Sequence, residues 1–118
     1  MEYLFVYGTL RNSRKGIGVP VGEGTITGTL LDFGAFPGLV LKGTTSIIGD
    51  LIALTYKPKT MLSYLDRYEN VAGGLFAREK VTVTLKDGRI KESWVYVFKQ
   101  DTKGYPIVKS GDWLKHIR

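Results

Sequence analysis

Cysteine is absent from this chain of 118 residues, and histidine occurs once, at His116. The first absence excludes a disulfide framework, a thiolate nucleophile and a cysteine-ligated zinc site. The second excludes multi-histidine metal centres, and so late a position in the chain argues against a Ser-His-Asp triad. No metal and no cofactor is therefore expected. No stretch approaches the ~20 apolar residues of a membrane-spanning helix. Repeats, linkers and low-complexity tracts are missing too. If the chain is an enzyme, its proton chemistry falls to carboxylates, lysines, tyrosines or backbone groups.

What is present describes one soluble globular domain over residues 1–118, with 43% apolar and 24% charged residues. The opening Met1-Glu2-Tyr3-Leu4-Phe5-Val6-Tyr7 has no basic n-region and no small-residue cleavage site. It reads as a first strand, not a signal peptide, and the cytoplasm is the expected compartment. The net charge of +6 invites a search for anionic partners. The basic residues are scattered, however, with no run longer than Arg14-Lys15, whereas nucleic-acid binders concentrate them on one face. A small carboxylate-bearing substrate is the expected partner, and neither nucleic acid nor membrane is.

The pattern is mostly strand-like. Tyr3 to Tyr7 is a nearly continuous apolar run, as in a strand buried on both faces. Gly16 to Gly24, with Pro20 inside it, reads as loop. Thr25 to Leu31 suits a second strand, and Ala35-Phe36-Pro37-Gly38 a turn. Leu39 to Leu41 and Ser46 to Tyr56 follow as a short and a longer strand, with Gly49 a candidate bulge. Pro58 suits the first turn of a helix, in which Met61, Leu62, Leu65 and Tyr68 form one apolar stripe. That helix should end between Asn70 and Gly74. Val81, Val83 and Leu85 alternate with polar residues before the Asp87-Gly88 hairpin turn. The return strand puts Trp94, Tyr96 and Phe98 on one face and Val95 and Val97 on the other. The aromatic row could be a base-stacking platform, but a core face that fills a barrel is the favoured reading. Together these elements predict an α+β fold, a mixed β-barrel of five to six or more strands with one principal helix.

Two segments carry candidate chemistry. Glu69 lies four residues after Leu65 and seven after Leu62, so it projects from the apolar side of the helix. Burial and the helix C-terminus both raise a carboxyl pKa, which makes Glu69 a candidate general base. The competing expectation is that it swings to water or pairs with a neighbour such as Arg78. Asp66, one turn earlier, reads as structural, capping or pairing with a cation on a nearby strand. The second segment, Tyr7-Gly8-Thr9-Leu10-Arg11, lets the chain turn sharply at Gly8, where successive N–H groups can form an anion-binding concavity. It lacks the Gly-Lys-Ser/Thr ending of a P-loop. A further segment, Ile107-Val108-Lys109-Ser110-Gly111-Asp112-Trp113, shows no chemistry by itself: Ser110-Gly111 is a turn signal, and Trp113 should pack back on the domain.

The order and spacing of several segments resemble the γ-glutamylcyclotransferase-like family, which includes γ-glutamylamine cyclotransferases and AIG2-like proteins. They are Val6-Tyr7-Gly8-Thr9-Leu10-Arg11, Phe36-Pro37-Gly38-Leu39-Val40, Ile48-Gly49-Asp50-Leu51, Leu65-Asp66-Arg67-Tyr68-Glu69, Phe76-Ala77-Arg78, Trp94-Val95-Tyr96 and Ser110-Gly111-Asp112-Trp113. The resemblance spans nearly the whole chain. It implies a small mixed barrel with short flanking helices and a cavity between the Tyr-Gly-Thr-Leu loop and the helix end. It further implies that Glu69 is the general acid/base and that the main chain of Tyr7, Gly8, Thr9 and Leu10 holds the substrate. The implied reaction is intramolecular cyclisation of a γ-glutamyl amine or dipeptide, releasing 5-oxoproline and a free amine. Two positions depart from the family's pattern. Asn70 stands where glycine is common, and Phe76 where many members carry tyrosine, which bears on substrate identity. A non-catalytic small-carboxylate binder on the same scaffold is the alternative reading, and a nucleic-acid-binding barrel a third.

Overall fold

A strand with apolar residues at both odd and even positions must be covered on both faces, and this governs how the chain folds. The computed structural model describes residues 1–8, 11 and 16–117. The elements are β1 (Glu2–Val6), β2 (Val19–Asp32), β3 (Pro37–Leu54), α1 (Pro58–Tyr68), β4 (Phe76–Leu85), β5 (Ile90–Phe98) and α2 (Trp113–His116). The strands close into a barrel in the order β1-β3-β2-β4-β5. Four of the contacts are antiparallel, and the fifth, β1 against β5, is parallel, so the sheet is mixed as expected.

Alternation divides the apolar residues into two cores. Phe5, Leu51, Val83, Val95 and Val97 belong to the cluster inside the barrel, together with Leu30, Leu39 and Ile47. Their sequence neighbours Leu4, Val6, Ile52, Tyr96 and Phe98 form a second cluster on the outer face, beneath Leu62 and Leu65 of α1. Burying each of those leucines contributes about 2 kcal/mol. The aromatic row therefore does not fill the barrel. Tyr96 and Phe98 are buried outside it, under the helix, which leaves the interior to aliphatic residues, Phe5, Tyr7 and Trp113. Trp94 stays partly exposed, with Arg78 and Lys80 each 4.4 Å from its ring centre.

Several boundaries differ from the sequence reading, for identifiable reasons. Val19 to Gly24 is strand, not loop, and a register shift between Pro20 and Gly22 accommodates the proline. The short and long strands after the turn are one element of 18 residues, β3. The turn itself lies earlier than expected. The Asp32 side chain accepts from the Gly34 N–H at 2.7 Å, Phe33 N–H donates to the Phe36 carbonyl at 3.1 Å, and Pro37 already begins β3. Gly49 is not a bulge. Its register is regular, and a Cβ there would lie 2.5 Å from both the Phe5 ring and the Val6 carbonyl, so glycine permits close strand approach. The Asp87-Gly88 hairpin forms as expected, with Gly88 at φ 92.

The C-terminal segment closes one end of the barrel. Val108 N–H donates to the Leu30 carbonyl and Ile48 N–H to the Gly111 carbonyl, both at 2.8 Å. Asp112 then caps α2, and Trp113, 1% exposed, enters the inner core. Gly111 adopts φ +69, and a Cβ there would come within 2.0 Å of the Ser46 carbonyl oxygen. Gly111→Ala should therefore destabilise the fold by roughly 2–4 kcal/mol. Gly104→Ala, also at positive φ (+88) but with nothing nearby, should cost only about 1 kcal/mol. Urea unfolding midpoints of the two variants provide the check, and equal losses would contradict the close packing at Gly111.

Candidate functional site

The barrel seam creates the cavity. Among the described residues β1 and β5 are paired only at Leu4↔Trp94. Beyond that pair the strands line a cavity of about 340 Å³, β1 and its continuation contributing Phe5 to Gly8 and β5 contributing Tyr96. The β2–β3 turn adds Ala35, Phe36 and Pro37, the end of α1 adds Tyr68 and Glu69, and β4 adds Phe76. The expected partners Glu69, Tyr7 and Gly8 are thus brought together. Thr9 and Leu10 lie outside the described residues.

The position of Glu69 follows from how α1 stops. Asn70 adopts φ 55, Val71 N–H donates to the Asp66 carbonyl at 2.9 Å, and Asn70 N–H to the Arg67 carbonyl at 3.1 Å. This is a Schellman closure with asparagine in the left-handed position usually held by glycine, and it makes Glu69 the C-cap. The turn is held against the sheet by Asp66. Its carboxylate accepts from Arg78 Nε at 2.8 Å and Nη2 at 3.2 Å, and from the Tyr96 hydroxyl at 2.7 Å. Burial pushes the Asp66 carboxyl up, but these hydrogen bonds outweigh it and hold it below the usual range.

Arg78 is therefore engaged by Asp66, not by Glu69. Among the described residues no lysine or arginine forms an ion pair with Glu69, the one charged side chain lining the cavity. Burial raises its pKa from the ordinary 4.5 to about 7. The sequence expectation of an upward-shifted carboxyl on the apolar side of the helix agrees with this geometry.

The Tyr7 hydroxyl is taken up by main-chain partners. It donates to the Tyr96 carbonyl at 2.7 Å and accepts from the Leu39 N–H at 3.3 Å, so it ties β5 and β3 to the end of β1. Burial, and secondarily the charge of Glu69, push its ionisation well above the ordinary tyrosine value, which keeps it a donor. Gly8 sits against Pro37, where a Cβ would lie 3.0 Å from the ring carbon Cγ. The Gly8 carbonyl accepts from the Arg11 N–H at 3.0 Å.

Arg11 adjoins the cavity through Gly8 and was not singled out by the sequence reading. Its side chain is buried and reaches three carboxylates, Asp50 and Asp112 at 3.3 Å and Glu23 at 3.4 Å. These come from β3, the cap of α2 and β2, so the residue after the Tyr7–Leu10 loop is anchored to three separate elements. The available signal was its place directly after the loop in a chain whose other basic residues have no such context. His116 lies away from the cavity, with Nε2 2.8 Å from Asp32 Oδ2.

The match to known proteins agrees with this architecture. Residues 4–115 fit the family described as gamma-glutamyl cyclotransferase, AIG2-like, and the chain belongs to that family. No curated protein matches it. Among solved structures it is similar to YtfP from Escherichia coli, with 26% identity, coverage of 98% of this chain and 99% of that one, and a TM-score of 0.72. It is similar in fold to YkqA from Bacillus subtilis at 24% identity and a TM-score of 0.76, covering 98% of this chain but spanning only 40% of that one. An AIG2-like protein from Mus musculus shares the fold at 21% identity and a TM-score of 0.73, over 95% of this chain and 88% of that one.

The partial burial of this carboxyl has a consequence for stability. In the folded chain Glu69 holds its proton up to about pH 7, whereas unfolded it ionises near 4.5. Folding thus retains an extra proton between those values, and the contribution of Glu69 to stability falls as pH rises through that window. Glu69→Gln removes the titration. Variant and wild type should unfold at similar temperatures near or below about pH 4.5, and the variant should be more stable by about 3 kcal/mol near pH 8. Thermal unfolding of both proteins across this range is the measurement, and a gap that fails to widen with pH contradicts the burial of the carboxyl.

Proposed function

We propose that the chain is a cofactor-independent γ-glutamyl cyclotransferase with Glu69 as its general acid/base. The observation that carries this reading is a half-buried carboxyl, without a cationic partner among the described residues, in a cavity that Tyr7 and Gly8 also line. Family membership supports it.

The reaction needs no nucleophile from the protein, because the substrate supplies one. The α-ammonium of a γ-glutamyl amide gives a proton to Glu69, and the freed amine attacks its own γ-carbonyl carbon. A C–N bond forms within the new five-membered ring. The tetrahedral centre then collapses, breaking the bond to the leaving nitrogen. Glu69 returns its proton to that nitrogen. The second proton lost by the ring nitrogen leaves with the departing amine, which becomes an ammonium. The products are 5-oxoproline and the amine.

A carboxyl with a pKa of about 7 is matched to both halves of this transfer near neutrality. Holding the chain curled supplies the remaining advantage, because amine and carbonyl must meet at near-attack distance. N–H groups of the loop that begins at Tyr7 would bind the substrate's α-carboxylate or the oxyanion as it forms. Asp66, Arg78 and Tyr96 would act one step back, by fixing the turn that carries Glu69.

Release of 5-oxoproline from a panel of γ-glutamyl amides and dipeptides tests the reading. Glu69→Gln should lose at least about a hundredfold in kcat. For the wild type, kcat/KM should climb with pH up to about 7 and then level, as Glu69 becomes the carboxylate that accepts the proton. Equal turnover by the two proteins would remove the assignment of Glu69. Ligand-induced thermal stabilisation without any product would instead favour a small-carboxylate binder.

A further inference from the structure

We infer that the leaving amine of the substrate carries an uncharged, ring-sized apolar group, selected by a braced wall of aromatic side chains. This inference rests on the cyclotransferase reading of the same cavity. The wall starts at the rim with Phe36, on the β2–β3 turn. Phe36 meets Phe33 edge-on with ring centres 5.5 Å apart, and Phe33 packs on Phe98 at 4.5 Å and on Tyr105 at 4.4 Å. Phe98 in turn meets Phe76 edge-on at 5.7 Å, and Phe76 again lines the cavity. Rings thus run in contact from the rim to the floor, each held by the next. A surface fixed in this way needs little ordering when a ligand arrives.

Two aromatic residues of the rim remain open to solvent. Phe36 is 43% exposed and Tyr68, on the last turn of α1, is 65% exposed. Single exposed rings are ordinary on protein surfaces. Here two of them border one cavity, where an apolar group entering beside Glu69 would cover both.

Charge narrows the choice further. Glu69 is the one charged side chain among the described lining residues, and in the proposed reaction it is occupied by the α-ammonium. A carboxylate on the leaving amine would find no cation among the described residues of the aromatic wall. A second ammonium would be desolvated there or would compete for Glu69. The cavity volume of about 340 Å³ is at the small end for ligand sites, which suits the amide of a small amine and not a long peptide. Phe76 contributes to the same preference, since a hydroxyl at that position would place a polar group in the floor.

The test compares three substrates by 5-oxoproline release: the γ-glutamyl amides of phenethylamine, of the lysine ε-amine and of glutamate. The phenethylamide should have a kcat/KM at least about tenfold above each of the others. Phe36→Ala should lower kcat/KM for the phenethylamide about tenfold more than for the lysine amide. Tyr68→Ala probes the same rim at a more exposed position, where loss of the ring leaves the core intact. Equal rates, a preference for either charged amine, or a preference that survives both variants overturns the inference while leaving the cyclotransferase reading in place. No product from any of the three overturns that reading, and the inference with it.

Discussion

A barrel closed by a single parallel bridge is the constraint on which the rest of this structure depends. Long antiparallel ladders zip β2 to β3 and β4 to β5, but among the described residues the two ends of the sheet pair only at Leu4 and Trp94. A seam of that kind leaves backbone groups that must be satisfied by other means. The Tyr7 hydroxyl takes the Tyr96 carbonyl, and α1 lies over the outer face of both strands. The cavity is the space left where the strands part and the helix ends. Its position therefore follows from how the sheet closes.

The helix end shows how a costly group is kept in place. A carboxyl without a counter-charge is unfavourable in an apolar setting, and nothing in the local sequence of α1 compensates for it. The cost is met one turn earlier, where Asp66 gains a two-pronged bond from Arg78 and a third from Tyr96. The same helix thus carries two carboxylates held in opposite electrostatic states. Asp66 is ionised and stitched to the sheet, and Glu69 is drawn toward neutrality by burial. Environment, not residue type, separates their roles.

Much of this was legible in the sequence because it is written in periodicity. The stripe of Leu62 and Leu65 gave both the helix and the side on which Glu69 lies, and Asn70 marked its end. The double-sided burial of Tyr3 to Tyr7 was equally clear from its unbroken apolar run. What was not legible depended on partners far away in the chain. Glycines at 18, 24 and 49 look like loop or bulge residues until the strand that crowds them is known, and then they mark close approach. Trp94, Tyr96 and Phe98 alternate as a strand face should, but alternation alone does not tell the inside of a barrel from a helix-covered outside. Arg11 gave no local sign of its three carboxylates, which lie 12, 39 and 101 residues further on.

That last separation bears on the order in which the molecule assembles. Contacts between β1 and β3 can form once the first half of the chain has collapsed, but the Asp112 end of the Arg11 anchor arrives only with the C-terminal segment. The anchor at Arg11, although its cation is among the earliest residues of the chain, is thus completed only by one of the latest. Long-range closure of this type is slow compared with local hairpin formation. The short C-terminal helix thus completes two distant parts of the molecule at once, the Arg11 anchor through Asp112 and the inner core through Trp113.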